Sequence, residues 1–202
     1  MAKTSGGLRQ NGGGSSLGKL AKEALDYYIS GNGYDMTYNL RIGKALNGED
    51  KLLAKGLDIA TKKALGKPYI LYRGVSVESL FGKEGLDNFG LLKSHFVNGY
   101  NDGYVMDGVK KAMNNKKSTY SDRSFMSTST DSSTAEGFGG SSSVVLRLKV
   151  PSKTKGIDLN SNKSYYKNNT SEKEVLLARN QRYKILKVYG KNGKIYVDAK
   201  II

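Results

Sequence analysis

The sequence contains no cysteine and only one histidine, and these shortages exclude several kinds of site. Without cysteine the chain can form no disulfide, thiolate metal site or thiol nucleophile. Clusters of histidine metal ligands are excluded as well, and a histidine general base has His95 as its single candidate. His95 lies in KSHFVNG, where a surface or half-buried role is the ordinary interpretation. We therefore expect no metal ion in the functional site.

Long apolar runs are also missing. No stretch approaches the roughly 20 apolar residues that a membrane-spanning helix needs, so we expect a soluble protein that engages no membrane. Residues 1–16 are rich in glycine and lack the apolar segment of a signal peptide, and they are predicted to form a flexible leader. We therefore expect the protein to act in the cytoplasm of the cell in which it works.

Acidic residues are scarce relative to basic ones. Lys and Arg number 33 against 18 Asp and Glu, which gives a formal net charge of +15. Such an excess attracts phosphate-bearing partners, whether nucleic acid, a dinucleotide or an acidic protein face. The charge is spread along the chain, since residues 1–70 hold 11 basic and 6 acidic residues and the remainder holds 22 and 12. Nucleic-acid binding and a well-solvated basic surface both stay open.

Hydrophobic periodicity changes near Pro68 and divides the chain into two parts. Upstream, apolar residues recur at helical spacing, which predicts three helices. The first has Ser16 as a possible N-cap and Gly31 at its end, the second runs from after Asp35 to near Asn47-Gly48, and the third has Leu53 and Leu57 on its apolar face and stops at residues 66–68. Downstream the period is two, which predicts strands. The predicted strands cover residues 69–77, 142–150, 174–179, 183–189 and 194–202.

Two smaller features complete the pattern, a short helix around residues 105–113 and a hairpin turn at Asn192-Gly193. Helices followed by mainly antiparallel strands predict an α+β fold. We expect one domain over residues 17–202, with a helical part at 17–67 and a β-rich core at 68–202 that carries the chemistry.

Arg73 interrupts the apolar strand YILYRGVSV on the same side as Leu71 and Val75. An unpaired guanidinium would be costly to bury there, so we expect Arg73 to face a cleft and an anion. For this strand taken alone, an edge arginine that points to water is the alternative.

The run SFMSTST, residues 124–130, places four hydroxyl side chains in a row. In a strand, alternation sends Ser127 and Ser129 to one face, where they can hold neighbouring side chains and a ribose. Clusters of Ser and Thr also mark loops. A serine hydrolase is not indicated, because the chain has no GxSxG elbow and His95 would have to act as the base.

The segment SEKEVLLAR places Glu172 and Glu174 two residues apart at the start of an apolar strand. If the strand conformation reaches back to Glu172, both carboxylates point to the same side. Paired carboxylates suit chemistry that passes through a positively charged sugar centre. By itself the ExE pattern is common in proteins.

The order of the three motifs is more specific than any one of them. YRG on a first strand, FxSTS at residues 125–129 and EKEVLL at 172–177 together resemble the R-S-E class of mono-ADP-ribosyltransferases, which includes clostridial and insecticidal actin-modifying toxins and transferases of tailed phages. The resemblance extends from about Tyr69 to the end. It implies that the helices pack on a mainly antiparallel β-sandwich, and that NAD is the cosubstrate with no metal. The HxY…E diphtheria-like class fits worse, because His95 lies far after the first strand.

The resemblance also implies which residues bind NAD. Arg73 would bind a diphosphate oxygen through its fork of donors, and Gly74 would let the backbone approach the nicotinamide amide. Phe138 matches in spacing an aromatic residue that stacks near the nicotinamide, with a core phenylalanine as the alternative. Two features depart from the family: the segment 73–127 is long, and no second phosphate-binding arginine can be placed near Phe138.

Catalytic roles follow from the same resemblance. Ser127 would position the catalytic glutamate, and Thr128 and Ser129 would support the strand. Glu174 would bond the ribose 2′-OH and stabilise the oxocarbenium ion formed as nicotinamide leaves. Glu172 would face the acceptor, and a glutamate at that place goes with arginine acceptors in the family.

The predicted activity is therefore transfer of ADP-ribose from NAD to an exposed arginine of a target protein, with NAD hydrolysis as a side activity. Tyr165 and Tyr166, in the loop before Glu172, are predicted to contact the protein substrate. We expect a monomer. The alternative from another class is an NAD-binding fold with little catalysis that acts as a basic nucleic-acid or capsid-associated binding protein.

Overall fold

The computed structural model describes residues 16–75, 119–138, 144–161, 172–191 and 194–202. Within these ranges the helices are α1 (Ser16–Tyr27), a π-helical turn (Tyr28–Asn32), α2 (Tyr34–Ile42), α3 (Gly48–Ala60) and α4 (Ser132–Phe138). The strands are β1 (Tyr69–Val75), β2 (Thr119–Asp122), β3 (Met126–Ser129), β4 (Val144–Val150), β5 (Gly156–Asp158), β6 (Glu174–Leu177), β7 (Gln181–Lys191) and β8 (Lys194–Ile201). None of the helices found there is long and apolar enough to cross a membrane.

The amino-terminal helices form because capping and close packing agree with their apolar spacing. The Asn47 side chain accepts a hydrogen bond from the Asp50 backbone N–H at 2.7 Å and so begins α3. Helix α3 then crosses α1 at Gly56, where an added Cβ would lie 2.4 Å from the Cβ of Ala24. Only glycine allows this approach, which holds the helices together as one layer.

The helix boundaries differ from those predicted. Helix α3 ends at Ala60, before the predicted stop at Gly66, and the Thr61 hydroxyl there donates to the Leu57 carbonyl at 2.8 Å. Helix α1 ends at Tyr27 and passes into the π-helical turn, in which Gly31 has φ 85°. Helix α2 ends at Ile42 because Gly43 adopts the left-handed conformation, φ 72°, and its N–H bonds the Asn39 and Leu40 carbonyls. The predicted extension to residue 47 is therefore wrong.

The strands form an eight-stranded sheet in the order β2-β7-β8-β4-β1-β3-β6-β5. Neighbours pair antiparallel except β4 and β8, which are parallel. Strands β7 and β8 pair up to Lys191 and Lys194, as a hairpin requires. The predicted α+β class, with helices on a mainly antiparallel sheet, is confirmed.

Three apolar cores hold these layers together. One lies on the inner face of the curved sheet and includes Leu71, Leu146 and Val197. A second packs Leu25, Leu53 and Leu57 of the helices against Leu176 of β6 and against Phe125 and Leu159, which flank β3 and β5. The smallest packs Ala135 of α4 against Val145 and Tyr196 of the sheet. The helices therefore press on β3 and β6, the strands that carry the STS and ExE motifs. The predicted helix at 105–113 and His95 lie outside the described residues.

Candidate active site

The three motifs meet in one cleft because their strands are neighbours. Strand β1 pairs with β3 through Tyr72 and Ser129, and β3 pairs with β6 through Ser129 and Glu174. All eight predicted residues that fall in the described part line this cleft. They are Arg73, Gly74, Ser127, Thr128, Ser129, Phe138, Glu172 and Glu174. Tyr165 and Tyr166 lie outside the described residues.

Each hydroxyl of the STS run makes a different hydrogen bond to the ExE segment. Ser127 Oγ donates to Glu174 Oε1 at 2.6 Å. Thr128 Oγ1 donates to the Val175 carbonyl at 2.5 Å, and Ser129 Oγ donates to the Glu172 carbonyl at 2.6 Å. The run is a strand that fixes its neighbour at three successive places, and the loop alternative is wrong.

Glu174 is the most deeply placed carboxylate of the cleft, with 8% of its surface exposed. Burial raises the pKa of the Glu174 carboxyl, the hydrogen bond from Ser127 lowers it, and the charge of Glu172 raises it. Burial prevails, so the net pKa lies above the ordinary value. The carboxylate is poorly hydrated and held by one strong donor, which is the environment of a preorganised charge.

Glu172 reaches the same cleft by a route that the sequence did not predict. Strand β6 begins at Glu174, and Lys173 has φ 46°, so the strand does not extend back to Glu172. The bend is held from the STS side, because Thr130 N–H donates to the Lys173 carbonyl at 3.1 Å and the Lys173 ammonium bonds Asp131 at 2.9 Å. Both carboxylates still line the cleft. Their shared orientation therefore comes from a fixed bend.

Arg73 faces a cleft and an anion, as predicted, and the anion in the structure is Asp122. Arg73 Nη1 lies 3.3 Å from Asp122 Oδ2, and Arg41 Nε lies 3.5 Å from Asp122 Oδ1. The Ser124 backbone N–H also donates to Asp122 at 2.9 Å. Two guanidinium groups thus share one anchored carboxylate, which leaves one positive charge in excess at this end of the site.

Arg41 is poorly satisfied in this arrangement. Its Nε is buried, and its contact with Asp122 Oδ1 at 3.5 Å is an ion pair that falls short of hydrogen-bond geometry. Burial lowers the pKa of Arg41, and the neighbouring charge of Arg73 lowers it further. The charge of Asp122 acts in the opposite sense and raises the Arg41 pKa, so it offsets part of the cost of burying this guanidinium.

Sequence reasoning missed Arg41 and Asp122, which lie on α2 and β2 respectively. Asp122 reaches Arg73 although β2 is the edge strand and β1 lies four places away in the sheet order. Only the curvature of the sheet brings the two strands together, and no local pattern indicates it. Arg41 lies in the last turn of α2, and a single arginine at such a place is too common to indicate a role.

Aromatic side chains border the cleft. Tyr34 is 73% exposed and Phe138 is 67% exposed, and both line the opening. The alternative of a core phenylalanine is therefore wrong for Phe138. Deeper in, burial raises the pKa of Tyr28 to about 12, with Glu174 adding to the rise, so this hydroxyl stays neutral. Across the described ranges no group of three or more His, Cys, Asp or Glu side chains is arranged to hold a metal ion.

Comparisons with known proteins fit this geometry. The ADP-ribosyltransferase exoenzyme family matches the chain over residues 11–202. The fold is similar to that of Plx2a, an ADP-ribosyltransferase toxin from Paenibacillus larvae, at 22% identity and a TM-score of 0.67, covering 93% of this chain and 88% of that one. It is also similar to an ADP-ribosyltransferase from Clostridium botulinum, at 22% identity and a TM-score of 0.66, covering 93% and 92%.

A third similar structure is the C3 exoenzyme of Clostridium limosum, at 19% identity and a TM-score of 0.68, covering 91% of this chain and 85% of that one. At such identities these likenesses establish the fold. No significant match is found among curated proteins.

Proposed function

This chain belongs to the ADP-ribosyltransferase exoenzyme family, and from that premise we propose that its acceptor is an arginine side chain of a target protein. As a family member it is an NAD-dependent mono-ADP-ribosyltransferase. The observation that carries the arginine proposal is the presence of two carboxylates, Glu172 and Glu174, in one cleft, held by separate hydroxyls of β3.

The basic end of the cleft fits the diphosphate of NAD. Arg73 lines the cleft and shares a single carboxylate, Asp122, with Arg41, so this end keeps one positive charge in excess. Phosphate oxygens would supply acceptors and balance the excess charge. Gly74 lines the cleft beside Arg73 and would let a ligand approach the backbone. Phe138, largely exposed at the opening, would offer a ring to the nicotinamide.

Glu174 would act on the sugar. Bound NAD supplies a glycosidic bond whose cleavage releases nicotinamide and leaves positive charge at the ribose carbon. The Glu174 carboxylate, buried and oriented by Ser127, would stabilise that charge. It needs no reorganisation at the moment of reaction, because the hydrogen bond already fixes it. The same step with water as acceptor would give NAD hydrolysis.

Glu172 would act on the acceptor. An arginine guanidinium is protonated at neutral pH, so it cannot attack until a nearby group orients it and removes a proton. Glu172 is half-buried at the cleft and its backbone is held by Ser129. A carboxylate there attracts a cationic side chain, whereas an amide would not accept its proton.

The proposal is tested with the variant Glu172→Gln, in which nicotinamide release and acceptor labelling are measured in parallel on one preparation. Agmatine serves as the small guanidine acceptor. We expect NAD affinity and a substantial share of NAD hydrolysis to persist, while guanidine labelling falls by about 100-fold or more, as for loss of a general base. Glu174→Gln is the matched control, because it should remove both reactions.

Two results would contradict the proposal. Equal loss of hydrolysis and labelling in Glu172→Gln would assign Glu172 to the NAD site itself. Loss of neither would make the ExE pair a structural coincidence, and arginine specificity would then be abandoned.

A further inference from the structure

Part of the excess positive charge of the chain lies on one face of the sheet. Helices α1, α2 and α3 together carry five basic and six acidic residues. On β4, β7 and β8, the side chains that the structure describes include six basic residues and one acidic residue, Asp198. The described side chains of these strands therefore carry a net charge of +5 (six basic, one acidic), whereas the three helices carry −1 (five basic, six acidic).

Strand alternation places these basic residues on the outer face of the sheet. Leu146, Leu148 and Ala199 belong to the inner core. Their neighbours Lys149 and Lys200 are exposed and so point outward. The same alternation on β7 buries Tyr183 and exposes Lys184. The outer face therefore presents lysines from three consecutive strands.

Three of these lysines stand directly opposite one another. Lys149 pairs with Lys200 across β4 and β8, and Lys200 pairs with Lys184 across β8 and β7. We refer to Lys149, Lys200 and Lys184 as the lysine row. Like charges directly opposite on neighbouring strands destabilise a sheet. The fold thus carries an electrostatic cost at this row that a bound polyanion would remove.

The one acidic residue of this face does not compensate the row. Asp198 Oδ2 lies 3.1 Å from Arg147 Nη1, and Asp198 Oδ1 accepts a hydrogen bond from the Tyr189 hydroxyl at 3.3 Å. None of the ion pairs formed between described residues involves a lysine of the row. The helices differ, since there Lys19 pairs with Glu23 and acids alternate with lysines.

We propose that the lysine row binds the phosphates of a single-stranded nucleic acid. Neighbouring strands lie about 4.8 Å apart, so three lysines form a straight line roughly 10 Å long across the sheet. A line of cations matches a linear polyanion better than the plane of a membrane. The same face offers aromatic surface, because Tyr189 is half-buried there with the Lys187 ammonium 5.2 Å from its ring centroid. Basic side chains beside an aromatic ring on the face of a sheet are the combination that single strands bind.

The experiment compares two triple variants that lose the same charge from different places. In the row variant Lys149, Lys184 and Lys200 are each changed to Gln. In the control variant the exposed helical residues Lys22, Lys51 and Lys55 are each changed to Gln. The probe is a labelled oligouridylate of about 15 nucleotides, and its binding is measured from low to moderate salt. NAD hydrolysis checks that each variant is folded, because none of these lysines lines the cleft.

We expect each lysine of the row to neutralise one phosphate. Removing one lysine should then reduce the steepness of the plot of log affinity against log salt by about 0.7, so the row variant should lose about 2 units of steepness. This corresponds to about 100-fold weaker binding at 0.1 M salt. The control variant should keep most of the parent's affinity and slope.

Three outcomes would overturn the proposal. Equal weakening in both variants would mean that binding follows total charge and has no site on the sheet. Failure of the parent protein to retain the oligonucleotide at low salt would exclude the function. In the third outcome the parent binds duplex DNA, or vesicles that contain an anionic lipid, more strongly than the oligonucleotide. If the row variant is impaired in that binding, the row is assigned to another partner.

Discussion

Ser127→Ala isolates one hydrogen bond of the active site. The Ser127 hydroxyl donates to Glu174 Oε1 at 2.6 Å, and alanine removes that hydroxyl while it keeps the Cβ. The pairing of Ser127 with Leu176 is made by backbone atoms, so β3 and β6 should stay in register. The substitution therefore changes the environment of a buried carboxylate with little change in the fold.

The size of the effect follows from the charge on the acceptor. A hydrogen bond to an ionised group contributes about 1.5–3 kcal/mol. If all of this energy is felt in the transition state, kcat/KM falls by about 10-fold to 150-fold. Part of the orientation of Glu174 comes from its place in β6, so we expect a loss near the lower end of that range.

The pH dependence tells whether Ser127 acts through the charge of Glu174. The hydrogen bond favours the ionised carboxylate, so its removal should raise the already elevated pKa of Glu174 further. Because the reaction needs the ionised form, the acid limb of kcat/KM should move to higher pH in Ser127→Ala. Glu172→Gln removes a repulsive charge that also raises the Glu174 pKa, so its acid limb for NAD hydrolysis should move to lower pH.

The assay is nicotinamide release across the acid range for the parent, Ser127→Ala and Ser127→Thr. The threonine variant retains a hydroxyl and should restore most of the rate and the position of the acid limb. A uniform loss at every pH, without a shift of the limb, would refute the link to the Glu174 charge. An unchanged rate would remove the positioning role altogether.

Two further predictions concern the remaining charges of the cleft. Glu174→Gln should lower both transfer and NAD hydrolysis by about 100-fold or more. Because the pKa of Glu174 is raised in the folded state, its ionised form costs stability, so the variant should have a higher Tm at neutral pH but not below the ordinary carboxyl pKa. Thermal melts at two pH values would check this. Arg73→Ala should weaken NAD binding by about 10-fold to 150-fold, the value of a charge-assisted hydrogen bond. Its effect on folding should be smaller, because Asp122 retains Arg41 and the Ser124 N–H as partners. Calorimetric titration with NAD tests the second prediction, and an unchanged affinity would sink the role of Arg73.

The motifs could be predicted because each one is local. Arg73 stands out inside an apolar strand, and the STS run stands out among spaced hydroxyls. Alternation then gives the face of each side chain wherever the strand is regular. Alternation did not predict the orientation of Glu172, because Lys173 adopts a left-handed conformation that breaks the strand just before Glu174. No residue type marks that break.

Features that depend on curvature could not be predicted. Asp122 contacts Arg73 only because the sheet bends far enough to bring β2 back to β1. The distribution of charge is similar: counts along the chain show an even spread, yet the fold collects lysines from β4, β7 and β8 on one face. Both features join residues that are distant in sequence through strand order, which periodicity does not specify.

The three successive hydroxyls of β3 separate two tasks that the reaction must keep in register. Ser127 holds the side chain of Glu174, whereas Ser129 holds the backbone of Glu172 and leaves the Glu172 carboxylate free to meet an acceptor. Thr128, which points the other way, donates to the carbonyl of Val175, the residue directly after Glu174. With the proposed roles, one rigid strand therefore sets the distance between the carboxylate that stabilises the sugar and the carboxylate that receives the guanidinium. A single hydroxyl could hold one glutamate but not both, so the proposed roles need the hydroxyls of both Ser127 and Ser129.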